Sequence, residues 1–598
     1  MNAALRLLGT LSVGSVLVQS IAGCASTPRR FPLRPPLWQD TDLRSFVAAC
    51  RIEPSKKDPQ HIACAPELYV SPLVWDGADN TVFRPLSRVF AVDPPNEAPN
   101  ANSLDEVPDS AWFKNRIGVH PMTVEEVTRG ACETAQHLDP TDVPDGTWVV
   151  DQGKPNGSTP GFRVNIPGKG KYMFKVDADV GGAIVSGEAT SHAERATGAS
   201  VIGAAAYNAV GFYTSCEQVI YIKPSVLKLT PGLRFTDNSG IEKSFDQKAL
   251  DAVLKATTKR GDLLRIQASA WLPGHLIGPF RYTGTRPDDP NDAILHEDRR
   301  ELRGARLLAA WLDHFDAREQ NSMDSWIADR GKDAPDSSPG YVRHYYLDMS
   351  DCLGSEWIWD AITRRLGHSY FVDWGDMGLD FITLGIPLRT WDTVQRTKGR
   401  EKFGYYNVQD FVPEDWKNEY SNPAFSRMTE RDGAWMARIL ARLTPEMVAG
   451  LAKIGDFADP SDVTFLAGVM EGRLEKVLDR YLTRLSPITD VRVEGNDRLC
   501  AVDLAERRGV RPRGAFRYSA QLDRRPVQSL AVDRQADGAL CITLPHVAAD
   551  GGGRDDSVGR YVSVTIDDGV AKGPLVAYLY DLGSTRGYAL AGLERPER

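Results

Sequence analysis

The stretch His314-Phe315-Asp316-Ala317-Arg318-Glu319-Gln320-Asn321, with Tyr345-Tyr346-Leu347-Asp348-Met349-Ser350 downstream, constrains this chain more than any other. A helical apolar pattern from Arg299 to Leu312 runs straight into the first segment. Ser322 to Ile327 and Tyr341 to Leu347 read as two strands joined by the polar turn Asp329 to Gly340. The fold must therefore carry a helix, a polar loop, a hairpin and an aspartate at the end of the returning strand. A carboxylate, an amide and a second carboxylate at positions 316, 321 and 348 form a hard-oxygen set of the kind Mg²⁺ takes. Asp316 is expected to take or orient the proton of an attacking hydroxyl. Asn321 and Asp348 are expected to hold magnesium on the phosphates of ATP or another nucleotide.

Upstream, Thr147 to Val150, Gly161 to Asn165 and Lys171 to Val176 alternate as strands, with Pro167-Gly168-Lys169-Gly170 as a turn. A helix is expected from about Glu188 to Ala209 with Gly211 as its cap, and Val219 to Ile222 as the next strand. Phosphoryl transfer needs a cation on a rigid strand and a carboxylate to orient it. Lys175 stands where that cation belongs. Glu194, with Glu188 as the fallback, is the expected ion-pair partner on the following helix. His314, Asp313 and Asp324 are expected to be structural, and His296-Glu297-Asp298 to serve capping and salt bridges, since neighbouring helix positions face different ways.

Taken together, Gly157-Ser158-Thr159-Pro160-Gly161-Phe162 before Lys175, the loop from His314 to Asn321, and Leu347-Asp348-Met349-Ser350 resemble the atypical protein-kinase-like superfamily, in its HipA-type, spore-coat CotH-type and secretory-pathway branches. The run from Arg286 to Asp292, followed by His296 to Gly304, resembles a group of exported bacterial proteins with this layout. The resemblance spans residues from about 105 to 490. It implies Lys175 on the α/β-phosphates beside Gly157 and Gly161, Glu194 positioning Lys175, Asp316 as base, and Asn321 and Asp348 as metal ligands. Three departures stand out: Asp348-Met349-Ser350 lacks the usual Gly, the glycine loop has only Gly157 and Gly161, and the gap from Asn321 to Asp348 is long.

The N-terminus sets the compartment. Arg6 precedes an uncharged apolar stretch, Leu7 to Ile21, and Ala22-Gly23-Cys24 resembles a lipobox, so Cys24 is the expected lipidation site. Ala25 after it favours the outer membrane of the bacterial envelope. Export permits disulfides among the seven remaining cysteines. Proximity favours Cys50 with Cys64 and Cys500 with Cys541, connectivity stays open, and the odd count leaves at least one thiol unpaired. A net charge of -9 gives no footprint for nucleic acid. No zinc spacing, H-E-x-x-H or G-x-S-x-G occurs, which removes support for a hydrolase.

The expected architecture is α+β: a bilobal protein-kinase-like body with a β-rich small lobe at 141–285 and a helical large lobe at 286–486. A signal peptide at 1–23 and a tether with an irregular extension at 24–140 precede it. A β-sandwich-like domain at 487–598 follows. The large lobe rests on Trp435, Ile439 and Leu443, and on Leu474, Val477, Leu478 and Leu482, all at helical spacing. Trp357-Ile358-Trp359 is read as core rather than sugar site, and Gly551 to Gly553 as a loop. Two functions fit: a nucleotide- and Mg-binding phosphotransferase acting on a hydroxyl acceptor, or an inactive kinase-like scaffold that binds a protein or glycan partner. Scarcity of ATP outside the cytoplasm is the objection to the first.

Overall fold

Alternating burial along residues 148–175 builds the first sheet. β1 (Trp148–Gly153), β2 (Gly161–Ile166) and β3 (Gly170–Lys175) form an antiparallel meander whose inward Trp148, Val150, Phe162, Val164, Tyr172 and Phe174 are buried. The computed structural model describes residues 30–47, 78–88, 96–154, 159–177, 193–236, 241–329, 338–354, 360–523, 526–546 and 554–597. Cys24, Cys50, Cys64, Gly157, Glu188, Trp357 to Trp359 and Gly551 to Gly553 lie outside these.

The helix after β3, Arg195–Val210, is buried along all sixteen residues, and its run of Gly and Ala explains how. Small side chains let neighbours approach its backbone from every side. It ends at Gly211, as expected, where φ is 144° and the Phe113 ring occupies the place a Cβ would need. β4 (Glu217–Ile222), β5 (Leu227–Leu229), β6 (Arg234–Thr236), β7 (Glu242–Ser244), β8 (Lys259–Arg260) and β9 (Leu263–Ala270) follow. The sheet order is β4-β9-β3-β2-β1-β5, with β8 on β9. The sequence pattern did not reveal β5 to β9 or the helix at Gln247–Ala256.

A second, three-stranded sheet is ordered β10 (His275–Gly278), β11 (Ser322–Ala328), β12 (Gly340–Tyr346). Its β11/β12 hairpin is the one read from sequence, and Leu347 N–H donates to Asn321 O to extend it by one rung. We label the helices α1 (Val124–Arg129), α2 (Arg195–Val210), α3 (Gln247–Ala256), α4 (Arg300–Leu312), α5 (Trp374–Thr383), α6 (Glu430–Leu440), α7 (Pro445–Ile454) and α8 (Pro460–Leu482). α4, α6, α7 and α8 share one core with α2, and Trp435, Ile439, Leu443, Leu474, Val477, Leu478 and Leu482 all lie in it. Thr123 and Glu126 cap α1 reciprocally, as the sequence indicated. Among the described residues no helix is long and apolar enough to cross a membrane.

The stretch before α1 does more than wrap the body. Trp112 stacks on His344 with ring centroids 3.5 Å apart, and Asp105 lies between Arg300 of α4, Arg438 of α6 and Arg595 near the C-terminus. Arginines at the N-terminus of α4 oppose the helix dipole, and carboxylates from other segments, Asp105, Asp292 and Asp432, offset this. Beyond Pro487, β13 (Ile488–Glu494), β14 (Arg498–Asp503), β15 (Ser519–Asp523), β16 (Gln528–Leu530), β17 (Val532–Arg534), β18 (Ala539–Thr543), β19 (Tyr561–Asp567), β20 (Leu575–Asp581) and β21 (Tyr588–Glu594) form two antiparallel sheets. Their orders are β13-β14-β18-β17 and β16-β15-β19-β20-β21, and Leu499, Ile542, Leu522, Val564 and Leu579 from both share one core. The molecule is thus α+β, with several sheets.

Cys500 and Cys541 face each other in the β14/β18 register and are bonded. A second bridge, Cys132–Cys216, joins the segment after α1 to the entry of β4 across 84 residues, a pairing proximity did not suggest. Cys352 is a buried free thiol.

Candidate active site

Lys175 ends β3 and lies directly across from Gly161 in the β2/β3 register. At Gly161 a Cβ would run into the Phe174 carbonyl, so only glycine lets the two strands close up at this point. Lys175 Nζ sits 2.9 Å from Asp348 Oδ1, so the strand-end aspartate and the strand-end lysine read from sequence do meet. Burial works against the lysine's charge, yet Asp348 and Glu217 together raise its pKa above the ordinary value. Burial likewise opposes the Asp348 carboxylate, and Lys175 and Lys154 hold it below the usual range.

Asp348 occupies the left-handed region at φ 54°, and Ser350 Oγ donates to its Oδ1 at 2.8 Å. Glu194 at φ 73° and Asp313 at φ 54° share this unusual backbone. Such conformations cost about 1–3 kcal/mol each and gather at functional sites. Met349, next along, is 1% exposed and packs against Gly203 of α2, which couples the helix after Lys175 to the segment after Asp348.

Asp316 and Asn321 form the second half. Asn321 Nδ2 donates to the Asp316 carbonyl and to its Oδ2, both at 2.8 Å, and Arg318 Nε lies 2.7 Å from Oδ1. Arg318 also reaches Glu419 at 3.1 Å. Burial and the neighbouring Glu419 raise the Asp316 pKa well above the carboxylate range, and Arg318 only partly offsets them. Asn321 gives its amide protons to Asp316 and keeps its Oδ1 as an acceptor. The hairpin rung between Asn321 and Leu347 brings the two halves within one residue of each other along the backbone. Asp351 acts electrostatically on Lys154, Lys175, His314 and Asp316, which ties the halves into one charge system.

Glu194 is the expectation that fails. It stands one residue before α2, and its carboxylate accepts from Ala458 N–H at 3.1 Å and lies 3.3 Å from Lys402 Nζ and 3.7 Å from Arg260. It fastens the start of α2 to the segment before α8 and does not pair with Lys175. The physical reason is competition: two cations, Lys402 and Arg260, and the Ala458 N–H take up the carboxylate, while Lys175 pairs with Asp348 instead. The carboxylate that does act on Lys175 from its own sheet is Glu217, at the start of β4. Glu217 is held by Ser215 Oγ at 2.6 Å, Gln267 Nε2 at 2.5 Å and Ser269 Oγ at 2.8 Å, and burial raises its pKa. Sequence reasoning also missed Lys154, whose Nζ donates to Thr159 O at 2.7 Å and whose pKa burial and Lys175 lower to about 8.

The residues set aside as structural are so engaged. His314 Nδ1 lies 2.9 Å from the Tyr207 hydroxyl, and burial lowers its pKa to about 4, so the ring is neutral near pH 7. Asp313 accepts from Trp416 Nε1 at 2.9 Å, Asp324 pairs with Arg286 and His344, and His296 pairs with Asp292. Glu494, Cys500 and Cys541 cluster at metal-binding spacing, but two of the three are joined by a disulfide and are not free thiolates.

Asn321 Oδ1 and the Asp348 carboxylate are hard-oxygen donors and Lys154 with Lys175 suits phosphate oxygens, while the carboxylates of Asp316, Asp348 and Asp351 do not gather at metal-binding spacing. Comparison with known proteins gives no match to a family model, to a curated protein or to a solved structure.

Proposed function

We propose that this chain is an envelope protein, anchored through lipidated Cys24, whose body is a bilobal kinase-like fold that binds nucleotide with Mg²⁺ and transfers a phosphoryl group to a hydroxyl acceptor. The observation that carries the reading is the meeting of Lys175 with Asp348, one hairpin rung away from the Asp316/Asn321 pair. Support for the lobes comes from the order β3, helix, β4 with β9 between β3 and β4 in the sheet, and from the separate core of the helices beyond α4.

In this reading Lys175 and Lys154 bind the phosphates, and Gly161 lets the β2 backbone approach them. Bound Mg²⁺ would offset negative charge on the phosphates, held by Asn321 Oδ1 and Asp348. Asp316 receives the acceptor's proton, and burial with Glu419 beside it raises its affinity for that proton. Asn321 and Arg318 fix its orientation, and Glu217 keeps Lys175 charged.

One observation favours the second reading, an inactive scaffold that binds a protein or glycan partner. Both carboxylate oxygens of Asp316 already have partners, Asn321 and Arg318. Thermal unfolding with and without nucleotide and Mg²⁺, for the wild type, Lys175→Ala and Asp348→Ala, separates the two. The enzyme reading expects a rise in melting temperature that Asp348→Ala abolishes, with phosphate incorporation into an acceptor. A folded wild type that shifts with no nucleotide and metal pair sinks it.

A further inference from the structure

A cavity of about 820 Å³ opens among the segment before α1, the end of α1, the start of β4, the β9–β10 connection and β12. Lys175, Lys154 and Asp348 are not on its wall. Lys114, Arg116, Arg129 and Arg343 are, facing only Asp109 and Glu133 as acids.

The two inner arginines are unusual in what they lack. Arg116 gives Nη1 to the carbonyls of Asn208 and Phe212, at 2.8 and 3.0 Å, and its other nitrogens make no hydrogen bond among the described residues. Arg343 Nη2 donates to the Tyr341 hydroxyl at 2.6 Å, and its buried Nε has no hydrogen-bond partner. Neither forms an ion pair with a carboxylate among the described residues, although Arg is the residue whose fork best fits one. The Tyr213 ring lies between them, 5.6 Å from the Arg116 guanidinium carbon and 4.7 Å from that of Arg343. Both guanidinium groups are thus held in place by a ring and by neutral oxygens with no carboxylate paired to them, Asp109 acting on Arg116 only from beyond ion-pair distance.

The cavity has the volume of a small-molecule site and far exceeds a bare oxyanion. Its wall mixes polar groups with Tyr213, Tyr345 and Trp271, which suits a polar ring better than an aliphatic tail. We propose that it binds an anionic sugar, with a carboxylate or phosphate on Arg116 and Arg343, the sugar ring toward the aromatic wall, and Lys114 and Arg129 at the rim. The site stands whether or not the Lys175 cleft binds nucleotide. It also adjoins that cleft, because Ser215 lines the cavity and donates to Glu217, the carboxylate that acts on Lys175.

Calorimetric titration of the full chain with glucose 6-phosphate, glucuronate, glucose and inorganic phosphate at one ionic strength tests this. Binding is expected for at least one anionic sugar, with glucose silent and inorganic phosphate at least tenfold weaker; which sugar binds tells phosphate from carboxylate. Arg343→Gln should weaken binding at least tenfold, the exposed Arg129→Ala several-fold with a reduced salt dependence, and Lys175→Ala not at all. The proposal is overturned if neither anionic sugar binds, if inorganic phosphate binds as tightly as the sugar, or if folded Arg343→Gln and Arg129→Ala both bind like wild type.

Discussion

Asp105, half-buried, and Asp316, buried, are both aspartates in contact with arginine, and their surroundings drive them in opposite directions. Burial alone would raise Asp105, but Arg300, Arg595 and Arg438 converge on it and hold its pKa well below the usual range. Asp316 has one arginine, Arg318, which it shares with Glu419, and its pKa goes up. Three arginines meet Asp105, whereas at Asp316 two carboxylates share one arginine. A carboxylate with its charge fully matched is a fastener, whereas one left short of positive charge has capacity for a proton or a cation.

The largest effect expected from this contrast is on stability at Asp105. Asp105→Asn should cost about 3–5 kcal/mol in chemical denaturation, since it leaves buried arginines uncompensated. A loss under about 1 kcal/mol would mean that those arginines find water or other partners, and the contrast would fail. Next comes ligand response: at nucleotide and Mg²⁺ one hundred times above Kd, wild type should gain about 2.7 kcal/mol, and Asp348→Ala should gain none.

Smaller but sharper is the pH dependence. Asp105 has its folded pKa depressed, so its contribution is present above the unfolded value of about 3.9 and is lost as pH falls through the folded one. Asp316 has its folded pKa raised, so stability falls as pH climbs from the unfolded value toward the folded one. Asp316→Asn should therefore leave stability at pH 7 unchanged or raise it by up to about 1 kcal/mol, while cutting phosphoryl transfer by about 10²–10⁴-fold. Denaturation curves at pH 5 and pH 8 read the first part, and clear destabilisation at pH 8 would contradict it. The smallest effect is expected at Glu194. Glu194→Gln should lower stability by about 1 kcal/mol through its lost partners yet leave nucleotide affinity within about twofold. A large loss of affinity would restore Glu194 to the phosphate site.

What the sequence disclosed follows from the range of the forces involved. Strand alternation and the cap at Gly211 are local, so β1 to β3 and the end of α2 were legible, and the β11/β12 hairpin delivered Asn321 and Asp348 to one rung. Glu217 was not legible. A glutamate opening a strand looks solvated until β9 supplies Gln267 and Ser269 beside it. Glu194 misled because a spacing argument assumes a helix already under way, and the helix starts one residue later. The Asp105 cluster joins residues 490 positions apart, a separation no periodicity reports.

The Cys132–Cys216 bridge has a consequence for how this chain would respond to being cut. It closes a ring of covalent bonds that contains β1 to β3, and with them Gly161, Lys175 and Glu194. A single proteolytic nick anywhere inside that ring leaves the two pieces as one molecule. On an electrophoretic gel such a nicked chain would run as one band until a reductant divides it into two.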